Sequence, residues 1–125
     1  MPRSSWPYLL LLLAAALGCG PSEVEKNAAL MTGGDPARGS ALVRQYGCNA
    51  CHTIPGVREA QGQVGPPLAG IALRVYLAGQ LPNTPENLIR WIRVPQEVER
   101  GTAMPNLGVT EQDARDLAAF LMTLR

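Results

Sequence analysis

The feature that most constrains this chain is the pentapeptide from Cys48 to His52, with sequence Cys-Asn-Ala-Cys-His. Cys-x-x-Cys-His is the attachment signature of c-type haem. Two thiols separated by two residues can reach both vinyl groups of one porphyrin, and the next residue then lies under the iron. We therefore predict one haem c, held covalently by Cys48 and Cys51, with His52 as the first axial ligand of its iron.

Other uses of two cysteines fit this sequence less well. A structural zinc ion needs four ligands, yet His52 is the only histidine, and Cys19, the third cysteine, lies near the N-terminus. A thioredoxin-like dithiol needs a preceding strand in a βαβ unit, whereas residues 35–45 are predicted to be helical. A disulfide between Cys48 and Cys51 would close a very tight loop and would leave His52 without a role.

The second axial ligand is predicted from the four methionines, because the chain offers no second histidine. A methionine ligand is usual in cytochromes c and raises the reduction potential. Met1 belongs to a predicted export signal and Met31 to a predicted linker, and Met122 lies off the apolar stripe of its helix, which predicts a partly exposed side chain. Met104 remains, and Pro105 favours an extended backbone there. A core-filling role is the alternative for Met104.

With these residues in place, the segment from about Gly34 to Arg125 resembles class I cytochrome c, specifically the small bacterial monohaem type. The resemblance is carried, in the family's order, by Gly34 to Gly39, Cys48 to His52, Gly65 to Gly70, Met104-Pro105 and Asp116 to Leu121. It implies an all-α fold of three main helices and loops, wrapped around one covalently attached haem. An extra stretch from Val57 to Val64 and the scarcity of lysine depart from the family pattern.

Capping residues predict where these helices begin. Asp35, Thr84 and Thr110 are predicted N-caps, since short polar side chains accept hydrogen bonds from the first free backbone N–H groups. The second helix is predicted to end near Pro95, and the third is predicted to run to Leu124. The resemblance also implies that Gly39 permits a close crossing of the first and third helices near Phe120.

Further residues of the haem site are candidates from the resemblance and from their position. The resemblance implies that His52 donates its free ring N–H to the backbone carbonyl of Pro66, which would fix its tautomer. Arg74 and Tyr76 follow the same loop and are candidates for contacts with the haem propionates, with a solvated surface position as the alternative for Arg74. Trp91 either donates its indole N–H to a propionate or only packs. Asn106 is a candidate for orienting the loop of Met104.

The N-terminus predicts export. Arg3 precedes an apolar run from Trp6 to Leu17, which is too short to span a membrane and suits a signal peptide. We predict an export signal over residues 1–18. Gly18-Cys19 resembles the end of a bacterial lipobox, so Cys19 is predicted to be lipidated. Cleavage after the preceding alanine run, which would give a soluble periplasmic protein, is the alternative.

Three regions follow from this interpretation. Residues 19–33 are predicted to hold the lipidated Cys19 and a flexible tether, because Pro21 to Gly33 is polar and lacks a strong apolar period. Residues 34–125 are predicted to form the cytochrome c domain. Acyl chains on Cys19 would hold this domain on the periplasmic side of the bacterial inner membrane.

Charge limits the predicted partners. The chain has 11 basic and 10 acidic residues, and only Arg3 among the basic ones precedes Gly20, so the two signs balance at ten each beyond that point. This balance argues against strong electrostatic steering, and nothing indicates nucleic-acid binding. We expect a monomer that meets its redox partners, a donor and a terminal oxidase or other acceptor, through a small apolar patch.

Coordination predicts the class of function. An iron that takes both His52 and Met104 has no open site for a substrate, which favours a single-electron carrier, not an enzyme, between respiratory or periplasmic redox partners. One alternative is a fixed electron-input subunit of a larger oxidoreductase. A haem peroxidase or gas sensor is another alternative, and it requires that Met104 dissociate readily.

Overall fold

The computed structural model describes residues 20–125 of the chain, and within this range helices predominate. The helices are α1 (Glu23–Thr32), α2 (Pro36–Gln45), α3 (Cys48–Cys51), α4 (Pro85–Arg93), α5 (Pro95–Val98) and α6 (Glu111–Leu121). A single 3-10 turn covers Ile71–Leu73, and the short strands β1 (Tyr76–Leu77) and β2 (Leu81–Pro82) form an antiparallel hairpin. The predicted all-α fold is confirmed. Among the helices of residues 20–125, none combines the length and the apolar character that a membrane-spanning helix needs.

The three predicted N-caps are confirmed. The side chains of Asp35, Thr84 and Thr110 each accept a hydrogen bond from a backbone N–H in the first turn of α2, α4 and α6. The predicted end of the last helix is wrong, because α6 stops at Leu121 instead of Leu124. The N–H of Thr123 donates to the carbonyl of Phe120, three residues back, so the chain tightens into turns that cannot continue an α-helix.

The predicted flexible tether over residues 21–33 is wrong for most of that stretch, which forms α1. Ser22 and Glu25 make a reciprocal capping box at its start, and such a box satisfies two of the free N–H groups. Ala28 and Thr32 are buried on its inner face. Because this face consists of small residues, the sequence shows no strong apolar period there.

Contacts with the C-terminal helix hold α1 in place. The Arg115 guanidinium of α6 donates to the Thr32 carbonyl at 3.1 Å, and the amide side chain of Gln112 lies 3.4 Å from the Gly33 carbonyl. Helix α1 contacts α4 as well as α6. The folded unit therefore begins at α1, before the cytochrome c domain that was predicted from residue 34.

Helices α2 and α6 cross closely at Gly39. A Cβ atom on Gly39 would lie 2.0 Å from the Asp116 carbonyl oxygen and 2.8 Å from Phe120 Cβ, so no residue larger than glycine fits. This is the crossing that the resemblance implied. It brings Leu42 and Val43 of α2 into the core against α6.

A buried carboxylate fastens the same crossing. Asp116 is only 1% exposed. Its two oxygens accept from the Arg38 guanidinium at 2.6 Å and from the Asp35 backbone N–H at 2.8 Å. Because a buried charge is costly unless it is paired and hydrogen-bonded, these contacts make the relative position of α2 and α6 strongly specified.

A second polar contact joins the C-terminal end of α2 to the first turn of α6. The Tyr46 hydroxyl donates to the Asp113 carboxylate at 2.7 Å. This hydrogen bond lowers the pKa of Asp113 and raises the pKa of Tyr46. The ionised carboxylate and the protonated phenol are the forms that keep the contact.

The predicted exposure of Met122 is wrong. Met122 is 8% exposed and belongs to the hydrophobic core. Helix α6 contacts α1, α2 and α4, and its Ala114, Ala118 and Ala119 are fully buried. These small residues allow neighbouring helices to cover more than one side of α6. A prediction that expects one apolar stripe on the helix therefore underestimates how many of its side chains are buried.

We predict that Gly39→Ala lowers the free energy of unfolding by about 3 kcal/mol, because the added methyl group meets backbone atoms that cannot move aside. Chemical unfolding of the haem-loaded protein measures this change. Gly20→Ala is the matched control, since nothing lies within 4 Å of a Cβ atom at that position. Equal unfolding midpoints for the two variants would contradict the close crossing.

Candidate haem site

A mostly apolar cavity of about 410 Å³ lies beside α2, α3, α4 and α6. This volume falls in the usual range for sites that bind small molecules and cofactors. Leu88, Ile92, Leu117 and Leu121 line its inner part and are buried. Eight residues predicted from the sequence for this site line the cavity, namely Cys48, Cys51, His52, Pro66, Arg74, Tyr76, Trp91 and Met104, whereas the candidate Asn106 does not.

The one-turn helix α3 presents both thiols to this cavity. Gly47 precedes it with φ of 74°, a left-handed conformation that glycine adopts without strain. Cys48 and Cys51 are both half-buried, and neither forms a disulfide within the described part of the chain. Burial raises the pKa of the Cys48 thiol.

The ring of His52 is held by a backbone carbonyl, as the resemblance implied. Its Nδ1 atom lies 2.6 Å from the Pro66 oxygen. A carbonyl oxygen can only accept, so in the neutral imidazole Nδ1 carries the proton and Nε2 has the free lone pair. This tautomer is the one that can bind a metal through Nε2, with its orientation fixed by the second nitrogen.

Glycines let the neighbouring loop approach α3 and His52. A Cβ atom on Gly65 would lie 2.3 Å from His52 Cε1 and 2.7 Å from Nδ1. A Cβ atom on Gly62 would lie 2.5 Å from the Ala50 carbonyl oxygen. The imidazole therefore lies directly against the loop backbone, and its position depends on the absence of a side chain at Gly65.

Met104 lies in the loop between α5 and α6, half-buried at the cavity wall. Its backbone N–H donates to Thr102 Oγ1 at 3.1 Å, and its carbonyl accepts from Gln96 Nε2 at 2.8 Å. Asn106, the sequence candidate for orienting this loop, accepts instead from the Gly108 N–H.

Glu99 was missed by sequence reasoning, although its side chain also reaches the cavity. One carboxylate oxygen accepts from the Gly101 N–H at 3.2 Å, and the other accepts from the Gln80 side chain at the hairpin. Glu99 therefore links the hairpin to the loop of Met104. As for Gln96 and Thr102, the only indication of its role in the sequence is that it lies within a few residues of Met104.

The three remaining candidates differ in exposure. Arg74 is half-buried, and its guanidinium donates to the Pro67 carbonyl, so it is not simply a solvated surface residue. Trp91 is half-buried on the cavity face of α4, between the buried Leu88 and Ile92. Tyr76 is 59% exposed and lies at the cavity rim, where Val64 and Leu107 add further exposed apolar surface.

The donor set of the cavity fits a haem c. Two thiols, one imidazole with a free lone pair and one thioether line the same mostly apolar space, and these are the groups that c-type attachment and His/Met ligation require. Zinc fits less well. Within residues 20–125, no group of three or more His, Cys, Asp or Glu side chains is placed to hold a metal ion.

Comparison with known proteins also supports a haem c site. The sequence model of the Cytochrome c family matches residues 36–125. The chain is similar to cytochrome c oxidase subunit 2 of Alkalihalophilus pseudofirmus, with 34% identity over 89 residues that cover 70% of this chain and 25% of that protein. It is also similar to cytochrome c oxidase subunit 2 of Bacillus sp. strain PS3, with 32% identity over 73% of this chain and 27% of that protein.

The chain therefore spans about a quarter of the length of these curated relatives. No solved structure matches it.

We predict that Gly65→Ala displaces the His52 ring, because the added methyl group would overlap the imidazole. The optical spectrum of the haem-loaded variant should lose low-spin character, and its free energy of unfolding should fall by about 1–3 kcal/mol. Gly101→Ala is the control, since a Cβ atom there has its nearest contact at 3.7 Å. A wild-type spectrum for Gly65→Ala would contradict the close contact.

Proposed function

This chain belongs to the cytochrome c family, and we propose that it is a single-electron carrier with one covalently bound haem c. The observation that carries this proposal is the convergence of Cys48, Cys51, His52 and Met104 on one cavity. These four residues come from two regions of the chain about fifty residues apart, and only the fold brings them together.

Each of the four residues has a defined role in the proposal. The thiols of Cys48 and Cys51 would hold the porphyrin through thioether bonds. His52, through Nε2, and Met104, through its sulfur, would hold the iron. When bound, the haem supplies a ferric/ferrous couple that takes up and releases one electron.

The surrounding residues set the reduction potential of this couple and keep water away from it. The Pro66 carbonyl keeps the proton on Nδ1 of His52, which makes the imidazole a better ligand. The apolar walls, among them Leu88 and Leu117, exclude water, and the Met104 sulfur favours the ferrous iron and raises the potential. With His52 and Met104 both holding the iron, no site would remain for a substrate, and the proposed role is therefore electron transfer.

The cavity rim is the proposed docking surface for redox partners. Val64 and Tyr76 are 70% and 59% exposed, and Leu107 is 39% exposed. The equal numbers of basic and acidic residues beyond Gly20 give no strong long-range field. Contacts through a small apolar patch give the weak, short-lived complexes that are typical of electron-transfer partners.

We propose that the protein is exported and that Cys19, which lies outside the described residues, is lipidated. Because α1 begins at Glu23, only Gly20 to Ser22 separate Cys19 from the folded unit. Three extended residues span about 10 Å. An anchor at Cys19 would therefore hold the domain against the periplasmic face of the inner membrane, without the wide swing that a flexible tether allows.

A fixed electron-input subunit of a terminal oxidase is the second candidate function. It is favoured by the similarity to two proteins named cytochrome c oxidase subunit 2. Gel filtration of detergent extracts distinguishes a subunit of a stable complex from a carrier that moves alone. A stable high-molecular-weight complex would favour the subunit, whereas elution at the size of the single chain would favour the carrier.

We predict that the wild-type haem stays with the chain on denaturing electrophoresis, because thioether bonds survive unfolding. In the double variant Cys48→Ser/Cys51→Ser, haem staining of the band should disappear, because serine forms no thioether bond. Haem that remains with the double variant would contradict covalent attachment through these residues.

We predict that Met104→Ala lowers the reduction potential and opens the iron to carbon monoxide, because the chain offers the iron no second imidazole. Redox titration and carbon monoxide binding to the reduced protein measure the two effects. Met31→Ala is the control, since Met31 does not line the cavity. Fast carbon monoxide binding to the wild type would contradict the carrier and favour a gas sensor or peroxidase.

A further inference from the structure

Both the backbone N–H and the backbone carbonyl of Met104 are hydrogen-bonded to side chains. Thr102, which accepts from its N–H, belongs to the same loop, whereas Gln96, which donates to its carbonyl, belongs to α5. Among residues 20–125, Gln96 is the one side chain outside the loop that hydrogen-bonds to Met104. We propose that Gln96 is the positioning residue that sets how firmly Met104 binds the iron, an inference that rests on the proposed function.

Apart from Gln96 and the link that Glu99 makes to the hairpin, no side chain in the described range outside the loop hydrogen-bonds to the loop of Met104. Gly101 and Gly108 flank it, and Gly108 has φ of 66°. Pro105 offers no backbone N–H, and Ala103, Pro105 and Asn106 are exposed. The methionine side chain has three rotatable bonds and adapts easily, so the reach of its sulfur depends on where the backbone of Met104 is held.

Helix α5 provides a firm base for this hydrogen bond. Pro95, at its first position, is almost completely buried. The N–H of Glu99 donates to the Pro95 carbonyl at 2.9 Å and closes the turn. Helix α5 follows α4 directly, and Trp91 of α4 lines the cavity. Gln96 therefore joins the Met104 backbone to a short helix that directly follows α4, and α4 forms part of the cavity wall.

The expected effect of removing the Gln96 side chain can be estimated from the free energy that one hydrogen bond contributes. A typical intramolecular hydrogen bond contributes about 0.5–1.5 kcal/mol net. If this bond is lost only when the loop opens, its removal raises the population of the open loop by about 2-fold to 10-fold, since 1.4 kcal/mol corresponds to a factor of ten. The sulfur should leave the iron more often by the same factor.

The test compares three variants of the full-length, haem-loaded protein. Gln96→Ala removes the side chain, and Gln96→Glu keeps its length but, when ionised, cannot donate. Gln112→Ala is the matched control, because Gln112 also donates to a backbone carbonyl and to Asp116 but makes no hydrogen bond to the loop of Met104. The readouts are imidazole affinity of the oxidised protein, the far-red sulfur-to-iron band and the reduction potential.

Both Gln96 variants should bind imidazole about 2-fold to 10-fold more tightly than the wild type, with a weaker far-red band and a lower potential. Gln112→Ala should keep wild-type values of all three quantities, although its unfolding midpoint falls.

Two results would overturn the role of Gln96. One is wild-type imidazole affinity in both Gln96 variants. The other is an equal rise in Gln112→Ala, which would report a general loss of stability. A wild-type protein that lacks the far-red band would instead overturn the proposed function, because Met104 would then not be an iron ligand.

Discussion

The close contact of α2 and α6 at Gly39 determines where the other elements around the cavity can lie. Its closeness, with no room for a Cβ atom, sets how α6 lies relative to the segment that continues from α2 into α3. Helix α6 brings Leu117 and Leu121 to the cavity, and α3 brings the two thiols. The buried Asp116, bonded to Arg38 and to the Asp35 N–H, resists any sliding of this pair. A shift there would move the thiols relative to the wall that faces them.

The sequence predicted those parts of the protein whose chemistry is local. The Cys-x-x-Cys-His motif is contiguous, and N-caps such as Asp35 and Thr110 act within three residues, so both can be recognised without knowledge of the fold. Met104 was predicted by elimination, since few methionines were available. The candidates Arg74, Tyr76 and Trp91 all line the cavity, although the groups they contact there stay a prediction.

What sequence reasoning missed depends on tertiary contacts. Helix α1 buries only small residues, Ala28 and Thr32, and therefore looked like a tether. Met122 was expected to be partly exposed because neighbours on several sides of α6 cannot be read from one helical period. The hydrogen bond from Gln96 to Met104 joins residues eight apart in different elements, and a surface glutamine carries no sign of such a partner. Helix α1 also leaves only Gly20 to Ser22 between Cys19 and the folded domain, so the proposed membrane anchor would lie close to that domain.

The proposed function requires that one cavity hold a haem whose iron is bound by His52 and Met104. The optical spectrum of the protein, oxidised and reduced, after expression with the haem-attachment machinery, tests this ligation. We expect a low-spin c-type spectrum in the reduced state and the weak far-red sulfur-to-iron band in the oxidised state. A high-spin spectrum without that band would contradict this ligation, because the iron would then have an open or labile site.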